Sequence, residues 1–386
     1  MSIRWEEVTI GEICEKSFYG TSDATTDTGK YPVIKMNHMQ NGGLILKDMS
    51  YIDYDEKTFN KYKLYKGDIL LNRTNSYELV GKVSLFDLDG DYLTASYLVA
   101  LRLNREKANP KFINEVLNTK KMQDKIRVYV TKGVSQANIN PAIFKQHIKV
   151  PLPPLKEQEK IAEILSSCDE HIKNLKNLKS ELEKEKLHLM NELLSGKTRF
   201  ANFTTPWQEV AIKDIFQEYT KLNSDNYDQY TIGKNGIKPF EDKRHSITNH
   251  KTFKKNDLII GIGIDEVNIN INIENGCCSP IYHIYNLNEE KLNPIFGYFA
   301  IKTLIQPIKG KIIKTSTRRQ FEFTHSEFLK YFLILPSLEE QKKIGEVLSA
   351  CDERLECLNE LITAQTTLKS HLLTELLNGN LRVKDY

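Results

Sequence analysis

The sequence lacks the short motifs on which most catalytic sites depend. It has no Cys-x-x-Cys pair and no glycine-rich loop of the Walker type, and its nine histidines do not follow metal-ligand spacing. The Asn/Asp-Pro-Pro-aromatic segment that base amino-methylation would need is also missing, since Asn-Pro is followed by Lys111, Ala142 or Ile295. These absences argue against an enzyme that works alone.

Long apolar runs are absent as well. No run approaches the roughly 20 residues that cross a bilayer. The first ten residues, MSIRWEEVTI, have neither the basic nor the apolar region of an export signal. Six cysteines without a metal-site or disulfide-framework pattern are typical of a reducing compartment. We therefore expect a cytoplasmic protein.

What the chain does contain is an internal repeat. LPPLKEQEKIAEILSSCDEHI at 152–172 returns as LPSLEEQKKIGEVLSACDERL at 335–355, with 13 of 21 positions identical and an offset of 183. The match extends to ELLSG at 192–196 and ELLNG at 375–379. Upstream, WEEVTIGEI at 5–13 resembles WQEVAIKDI at 207–215 with an offset of 202. The repeated segments kept their length while the regions between them did not.

Each repeated segment is predicted to be a helix of about 40 residues, or roughly 60 Å. Pro153 and Pro154 suit a helix start, Ser337 with Glu340 forms a predicted capping box, and Gly196 and Gly379 are predicted C-terminal caps. We interpret Glu157, Gln158, Glu340 and Gln341 as helix-start residues, with partner contact as the alternative.

Both helices carry an apolar stripe with heptad-like spacing, which favours a coiled coil. Its predicted core residues are Ile161, Leu165, Cys168, Ile172, Leu175, Ile344, Leu348, Cys351, Leu355 and Leu358. An antiparallel pair of these helices would place the two globular heads at opposite ends. The alternative is that each helix packs on its own head.

The charge is unevenly divided. Residues 156–195 hold 7 Lys+Arg against 9 Asp+Glu, and residues 339–378 hold 4 against 8. Because the whole chain carries +3, the remainder carries +9. The heads therefore suit a polyanion and the helices a different partner, although an ordinary solvated surface would also explain the charges.

Candidate nucleic-acid contacts are loop residues with guanidinium, ammonium, amide or hydroxyl groups. Those of the first head are Lys35, Asn37, His38, Gln40, Arg73, Thr74, Asn75, Ser76, Tyr77, Lys132, Ser135, Gln136 and Asn138. Those of the second head are Lys234, Asn235, Lys238, Arg244, His245, Lys314, Thr315, Ser316, Thr317, Arg318, Arg319 and Gln320.

The doubled pattern of basic head, proline and LxEQxxIxxxLxxxD helix resembles the specificity subunit of Type I restriction–modification systems, HsdS, over nearly the whole chain. The resemblance implies an α+β fold with two target recognition domains, 1–152 and 201–335. Two helical spacers, 153–200 and 336–386, would form an antiparallel coiled coil with pseudo-two-fold symmetry. It further implies that each head reads one half of a split, asymmetric site on double-stranded DNA and that the helices set the gap between the halves.

The same resemblance implies the partners. Two methyltransferase subunits would dock around the helices and bring S-adenosylmethionine for adenine methylation. In the full assembly two motor/nuclease subunits would add ATP- and magnesium-dependent restriction. This chain would bind no cofactor or metal and contribute no catalytic residue. Two alternative functions are a coiled-coil scaffold whose heads bind proteins, and a self-sufficient nuclease or methylase.

Overall fold

A computed structural model describes residues 5–133, 136–222, 227–233, 236–240, 249–262, 267–271, 274–315 and 321–383. The chain divides into two compact units. Unit 1 comprises Met1–Asn174 and Ile362–Tyr386, and unit 2 comprises Leu175–Leu361. Each unit therefore contains one head and a part of each long helix. The mixture of helices and strands is α+β, as the sequence predicts.

The head of unit 1 is built from short strands and helices. In chain order these are β1 Glu6–Thr9, α1 Ile10–Ile13, β2 Cys14–Tyr19, β3 Tyr31–Ile34, β4 Met39–Gln40, β5 Gly43–Leu44, β6 Ser50–Ile52, α2 Glu56–Tyr62, β7 Ile69–Asn72, β8 Thr74–Asn75, β9 Val83–Leu85, β10 Leu93–Thr94, β11 Leu98–Leu103, α3 Pro110–Asn118, α4 Lys120–Arg127, β12 Val130–Lys132, β13 Ala137–Ile139, α5 Pro141–His147 and β14 Lys149–Leu152. A 3-10 turn at Met36–His38 precedes β4.

An antiparallel four-stranded sheet in the order β2-β11-β7-β9 forms the centre of this head. Strands β7 and β11 are almost entirely buried, because both faces of the sheet are covered by apolar side chains. A second sheet, β10-β3-β6, contains a parallel pair, and a third has the order β12-β13-β8. Strand β1 pairs with β14, so the segment that opens the head lies beside the segment that leads into the helix.

After β14 the chain enters the first long helix, α6 Leu155–Leu194. The head of unit 2 then follows a shorter version of the same plan. Its elements are β15 Gln208–Ala211, β16 Phe216–Glu218, β17 Tyr230–Gly233, β18 Gly236–Pro239, β19 Lys251–Phe253, β20 Leu258–Ile262, β21 Val267–Ile271, β22 Gly276–Cys278, β23 His283–Leu287, α7 Pro294–Ile312, β24 Ile313–Thr315, β25 Phe321–Phe323, α8 His325–Phe328 and β26 Phe332–Leu335. A 3-10 turn lies at Ile212–Asp214.

The central sheet of unit 2 has the order β16-β23-β20-β21, and β15 pairs with β26 as β1 pairs with β14. The second long helix, α9 Leu338–Leu377, has 40 residues, the same number as α6. Gly196 and Gly379 follow the two helices with φ of 70° and 71°, which confirms the predicted left-handed caps. None of the described helices is long and apolar enough to cross a membrane.

In both units the start of one long helix lies beside the end of the other. In unit 1, Ile161 and Leu165 share a core with Leu376, Leu377 and the head itself. In unit 2, Ile344 and Leu348 share a core with Leu193 and the second head. The start of each long helix therefore contacts both its own head and the other helix. Helix pairing and packing on the head, which are alternatives in the sequence analysis, occur together at these positions.

Two ion pairs give the direction of the helices within unit 1. Asp169 accepts from Lys369 at 2.6 Å, and Glu157 accepts two bonds from Arg382, each at 2.8 Å. From Asp169 back to Glu157 the residue number falls along α6, whereas the number of the basic partner rises from Lys369 to Arg382. The two segments are therefore antiparallel. In unit 2 the pairs are Asp352 with Lys186 and Glu340 with Arg199. Each acidic residue and each basic residue has its counterpart 183 positions away.

The carboxylates at the helix starts are buried, and their partners are arginines that follow the end of the other helix. The side chain of Glu157 is 0% exposed and that of Glu340 is 1% exposed. Gln158 accepts from Asn109 N–H at 2.8 Å, as Gln341 accepts from Asn293 N–H at 2.8 Å. Four such buried groups are already bonded within the chain, so they hold the fold together and are not exposed to a partner protein.

Three local expectations need correction. Only half of the capping box forms, because Glu340 N–H donates to Ser337 Oγ at 3.3 Å while its carboxylate pairs with Arg199. The segment NPKFINEVLNTKKMQDKI at 109–126 has the polar–apolar pattern of a single helix, but the helix is split at Thr119, whose side chain caps α4. In the second head the corresponding pattern, NPIFGYFAIKTLIQPI at 293–308, predicts a helix that ends near Pro307, but α7 continues through Pro307 to Ile312.

Candidate nucleic-acid interface

Two of the candidate segments in the first head, 73–77 and 132–138, are brought together by the sheet β12-β13-β8. Asn138 is paired with Thr74, and Ala137 with Asn75. Thr74 Oγ1 donates to Asn138 Oδ1 at 2.6 Å. About 60 residues separate these segments along the chain, so their contact depends on the strand pairing.

The cations of this surface lie against aromatic rings. The guanidinium carbon of Arg73 is 5.1 Å from the centre of the Tyr19 ring, and Arg73 Nε donates to Thr74 Oγ1 at 3.2 Å. Lys132 Nζ is 4.1 Å from the centre of the Tyr77 ring. Within the described residues neither cation forms an ion pair with a carboxylate, so both charges remain available to a phosphate.

Sequence reasoning missed Tyr19, which is 49% exposed at the end of β2. The glycine that follows Tyr19 is a sequence signal that could have indicated this position. A Cβ at Gly20 would lie 2.0 Å from the carbonyl oxygen of Thr94, so only glycine allows this close approach. The aromatic residue before Gly20 is thereby held at the sheet edge next to Arg73.

The segment 35–40 reaches the same surface through one contact. Asn75 Nδ2 donates to Met36 Sδ at 3.1 Å, and Asn75 Oδ1 accepts from Ser76 N–H at 2.8 Å. Lys35 Nζ is held by two hydroxyl groups, Thr25 Oγ1 and Ser50 Oγ, both at 2.9 Å. Four other candidates of this head are exposed: Asn37, Gln40, Ser76 and Gln136.

His38, a candidate DNA-contact residue, is buried in the structure. It is 1% exposed, and both ring nitrogens are used inside the fold: Nδ1 accepts from Lys35 N–H at 3.0 Å, and Nε2 is 2.9 Å from the carbonyl oxygen of Lys47. Burial lowers the pKa of the ring, which favours the neutral form. His38 therefore shapes the turn at 35–47 and has no nitrogen left for a base.

Many candidates of the second head lie outside the described residues. These are Lys234, Asn235, Arg244, His245, Ser316, Thr317, Arg318, Arg319 and Gln320, together with Ser135 of the first head. Lys238 is exposed on β18, and Lys314 is exposed on β24. Thr315 pairs through its backbone with Phe321 at the point where the described part of β24 ends.

A polar cluster fixes the base of the β24–β25 pair. Glu218 Oε1 is 2.5 Å from His283 Nδ1, and Glu218 Oε2 is 3.2 Å from His325 Nδ1. Tyr285 Oη bonds His325 Nδ1 at 2.8 Å, and the His283 ring lies 5.1 Å from that of Phe323. Burial raises the pKa of the Tyr285 phenol, so it stays protonated. The strands that flank 316–320 are thus anchored to the central sheet.

Neither unit contains an arrangement suited to metal catalysis in its described part. Within those ranges no group of three or more His, Cys, Asp or Glu side chains could hold a metal ion. The buried cysteines 277 and 278 lie in strand β22, and burial raises the pKa of both thiols. A thiol with a raised pKa is a poor nucleophile at neutral pH.

The sequence matches the model of the family described as Type I restriction modification DNA specificity domain over residues 3–184 and 205–365. A similar curated protein is the putative type I restriction enzyme MjaX specificity subunit of Methanocaldococcus jannaschii, 25% identical over 411 residues, covering 98% of this chain and 94% of that protein. The EcoKI specificity subunit of Escherichia coli is 27% identical over 146 residues, which cover 37% of this chain and 31% of that protein.

Two solved structures share the fold. The S subunit of the Type I restriction–modification system from M. genitalium has a TM-score of 0.63 at 20% identity, covering 97% of this chain and 96% of that chain. The HsdS subunit from Thermoanaerobacter tengcongensis has a TM-score of 0.51 at 16% identity, covering 99% and 98%.

Proposed function

The chain belongs to the Type I restriction–modification DNA specificity family, and from that premise we propose that it recognises a bipartite, asymmetric site on double-stranded DNA. It is a specificity subunit and not a catalytic one. In this proposal the first target recognition domain, residues 1–152, reads one half-site, and the second, residues 201–335, reads the other. The protein works in the cytoplasm, where the DNA is.

The observation that carries the proposal is the surface around Arg73, Thr74, Asn138 and Lys132. It combines two cations without carboxylate partners in the described residues with an amide and a hydroxyl group on one strand pair. Phosphate contacts by such cations position a protein on a duplex, and amide, hydroxyl or guanidinium groups read base edges. In the second head Lys314 and the anchored β24–β25 pair support the same role for 314–320.

The two helices act in this proposal as a spacer. Both have 40 residues, about 60 Å at 1.5 Å per residue. Since DNA rises 3.4 Å per base pair, heads held apart over that length would leave unread base pairs between the two half-sites. An antiparallel coiled coil of residues 153–200 and 336–386 would thus set the gap.

The chemistry in this proposal belongs to the partners. Two methyltransferase subunits dock on the helices and bring S-adenosylmethionine for adenine methylation. Two restriction subunits add ATP- and Mg-dependent cleavage in the full complex. The net negative charge of both helices favours protein partners over DNA on those surfaces.

A domain exchange tests the recognition proposal. Residues 203–335 would be replaced by the second head of another family member, and the methylated sites of cells that express the chain with its methyltransferase would be mapped by long-read sequencing. We expect one half-site to change while the other half-site stays as before. Methylation without sequence preference, or a change in both half-sites, would contradict the proposal.

A helix insertion tests the spacer proposal. Four residues inserted into α6 and four at the equivalent place in α9 should lengthen the gap without altering either half-site, provided that the helices still pair across the stutter. The matched control is a four-residue insertion in the segment 201–206, which follows α6 and is exposed except at Phe203. If the gap between the two half-sites were unchanged in the helix variant, the helices would not act as the spacer.

A further inference from the structure

A groove in unit 2 lies between the small strands of the head and the helix α9. Its volume is about 490 Å³, and its apolar wall includes Ile237, Phe253, Ile271, Ile295 and Tyr298. Ile295 is 45% exposed although it is aliphatic. We call this feature the acidic groove, because its other lining residues include Glu274, Asp352, Glu353 and Glu356.

Two of these four carboxylates have partners within the chain, and for the other two the described residues provide none. Asp352 pairs with Lys186, and Glu274 accepts from Tyr230 Oη at 2.8 Å, which raises the pKa of the tyrosine to about 12. Glu353 and Glu356 are exposed on α9 and form no ion pair among the described residues. The groove therefore presents net negative charge beside an apolar surface, which repels DNA and attracts a cation.

One buried amide nitrogen in the groove has no hydrogen-bond acceptor in the described part of the chain. Asn270 is 6% exposed, and its Nδ2 has no hydrogen-bond acceptor among the described residues. An unpaired buried donor costs about 1–3 kcal/mol, a cost that an acceptor on a ligand or an ordered water would offset. A backbone carbonyl of a bound peptide would be such an acceptor.

Unit 1 has a smaller space at the corresponding place. Ser166 and Asp169 line a smaller space of about 320 Å³, as their counterparts Ser349 and Asp352 line the acidic groove. There the turn between β4 and β5 forms one wall, and the Gly42 carbonyl accepts from Asn114 Nδ2 at 3.0 Å.

Two of the three carboxylates that line that space form ion pairs within the chain. Asp87 pairs with Lys111 at 3.2 Å, and Asp169 pairs with Lys369 at 2.6 Å. The two spaces thus differ in how their polar groups are bonded. In unit 1 the Asn114 amide and the carboxylates of Asp87 and Asp169 have partners within the chain. In unit 2 the described residues provide no acceptor for Asn270 Nδ2 and no cation for Glu353 and Glu356.

We propose that the acidic groove binds a peptide segment of a partner protein in which Lys or Arg stands next to an apolar residue. The apolar side chain packs on Ile295 and Tyr298, a backbone carbonyl accepts from Asn270 Nδ2, and the cation faces Glu353 and Glu356. Because the described residues of unit 1 include no vacant amide at the corresponding place, one such segment binds per chain. This inference rests on the proposed function, in which the partner is the methyltransferase subunit.

Site-specific cross-linking tests where the segment lies. A photo-reactive amino acid at position 295, in the full chain purified with its methyltransferase subunit, should cross-link to a methyltransferase peptide with Lys or Arg beside an apolar residue. The control is position 111, the equivalent residue of unit 1, which should give no such product. A cross-link to residues 241–248 of the chain itself, or none in an assembled complex, would overturn the inference.

Charge reversal tests the electrostatic part. The double variant Glu353→Lys with Glu356→Lys should bind the methyltransferase subunit about tenfold more weakly, since two rim charges turn from attractive to repulsive. Glu170→Lys, at the position in α6 equivalent to Glu353, should change binding less than about twofold. Both variants alter exposed helix positions, and the fluorescence of Trp207 would verify that unit 2 is folded.

Asn270→Leu separates binding from folding. Removal of an unpaired buried amide should leave the urea midpoint of unit 2 unchanged or raised, while binding of the methyltransferase falls at least about threefold. Unchanged affinity in both the charge-reversal and the Asn270 variants, with methylation intact, would reject the groove and leave the proposed function standing. If the chain and the methyltransferase do not associate at all, both proposals fall.

Discussion

Removal of Arg382 should destabilise unit 1 selectively. Its guanidinium makes two 2.8 Å bonds to Glu157, whose side chain is fully buried. In Arg382→Ala the carboxylate would stay buried without its cation, a change that typically costs about 3–5 kcal/mol. Because the Arg382 side chain is 29% exposed, water reaches part of the site, and we expect about 2–3 kcal/mol.

The two tryptophans of the chain make this measurable unit by unit. Arg382 lies 5.4 Å from the Trp5 ring centre in unit 1, and Arg199 lies 5.9 Å from that of Trp207 in unit 2. In a Trp207→Phe background, Trp5 alone reports the unfolding of unit 1 by urea. With a slope of about 2–3 kcal/mol per molar urea, Arg382→Ala should lower that midpoint by about 1 M.

Two controls separate the buried charge from lost packing. Arg199→Ala should leave the Trp5 transition unchanged, because Arg199 pairs with Glu340 in unit 2. Adding Glu157→Gln to Arg382→Ala should restore part of the stability, since a neutral amide is less costly to bury than an unpaired carboxylate. An Arg382→Ala midpoint equal to that of the parent, or no recovery in the double variant, would refute the reasoning.

Three further predictions concern DNA binding and pH. Lys132→Ala should weaken DNA binding of the methyltransferase complex on all sequences alike and reduce the salt dependence by about one ion, as measured by titrations at several salt concentrations; a changed half-site would instead indicate base reading. Arg318→Ala with Arg319→Ala should weaken recognition through the second half-site only, which binding to DNA with either half-site scrambled would reveal; unchanged affinity and specificity would remove both from the interface. Burial raises the pKa of Glu115, so the folded state retains a proton that the unfolded state releases, and stability falls as pH rises from about 4.5 through the raised pKa. Glu115→Gln should abolish this loss, giving a higher Trp5 urea midpoint than the parent at pH 8 and a similar one at pH 4; equal midpoints at pH 8 would contradict it.

The long helices and their caps could be predicted because their signals are local. The repeated LxEQ motif, the prolines before it and the glycines after it determine each helix from residues within a few turns, and both helices end before Gly196 and Gly379 as expected. The strands of the heads were harder, since runs of two to six residues have little periodicity of their own. The break at Thr119 depends on a single capping hydroxyl that the apolar pattern over 109–126 conceals.

The sequence predicted which residue types would form the candidate interface, but it did not predict how those residues meet on one surface. Polar loops indicated 73–77 and 132–138 separately, and only strand pairing placed Thr74 against Asn138. The sequence could not distinguish His38, which is buried, from exposed Asn37 beside it, because burial depends on the turn that folds Lys47 over the ring. Tyr19 was missed because its partner Arg73 is 54 residues away.

The amino-acid sequence alone determined the doubling of the chain, the equal lengths of its helices and its kinship with DNA specificity subunits, since each of these is written in identities at a constant offset. Tertiary structure decided which repeated residues are buried and with whom. The Glu157 carboxylate finds its cation 225 positions away, a distance that no local pattern spans. It also decided where the two halves differ. The same Ser and Asp positions line a space of about 320 Å³ in unit 1 and a larger one of about 490 Å³ in unit 2, where Asn270 Nδ2 has no acceptor among the described residues. Residue pairing and side-chain burial depend on many long-range contacts at once. A repeat in the sequence does not determine those contacts.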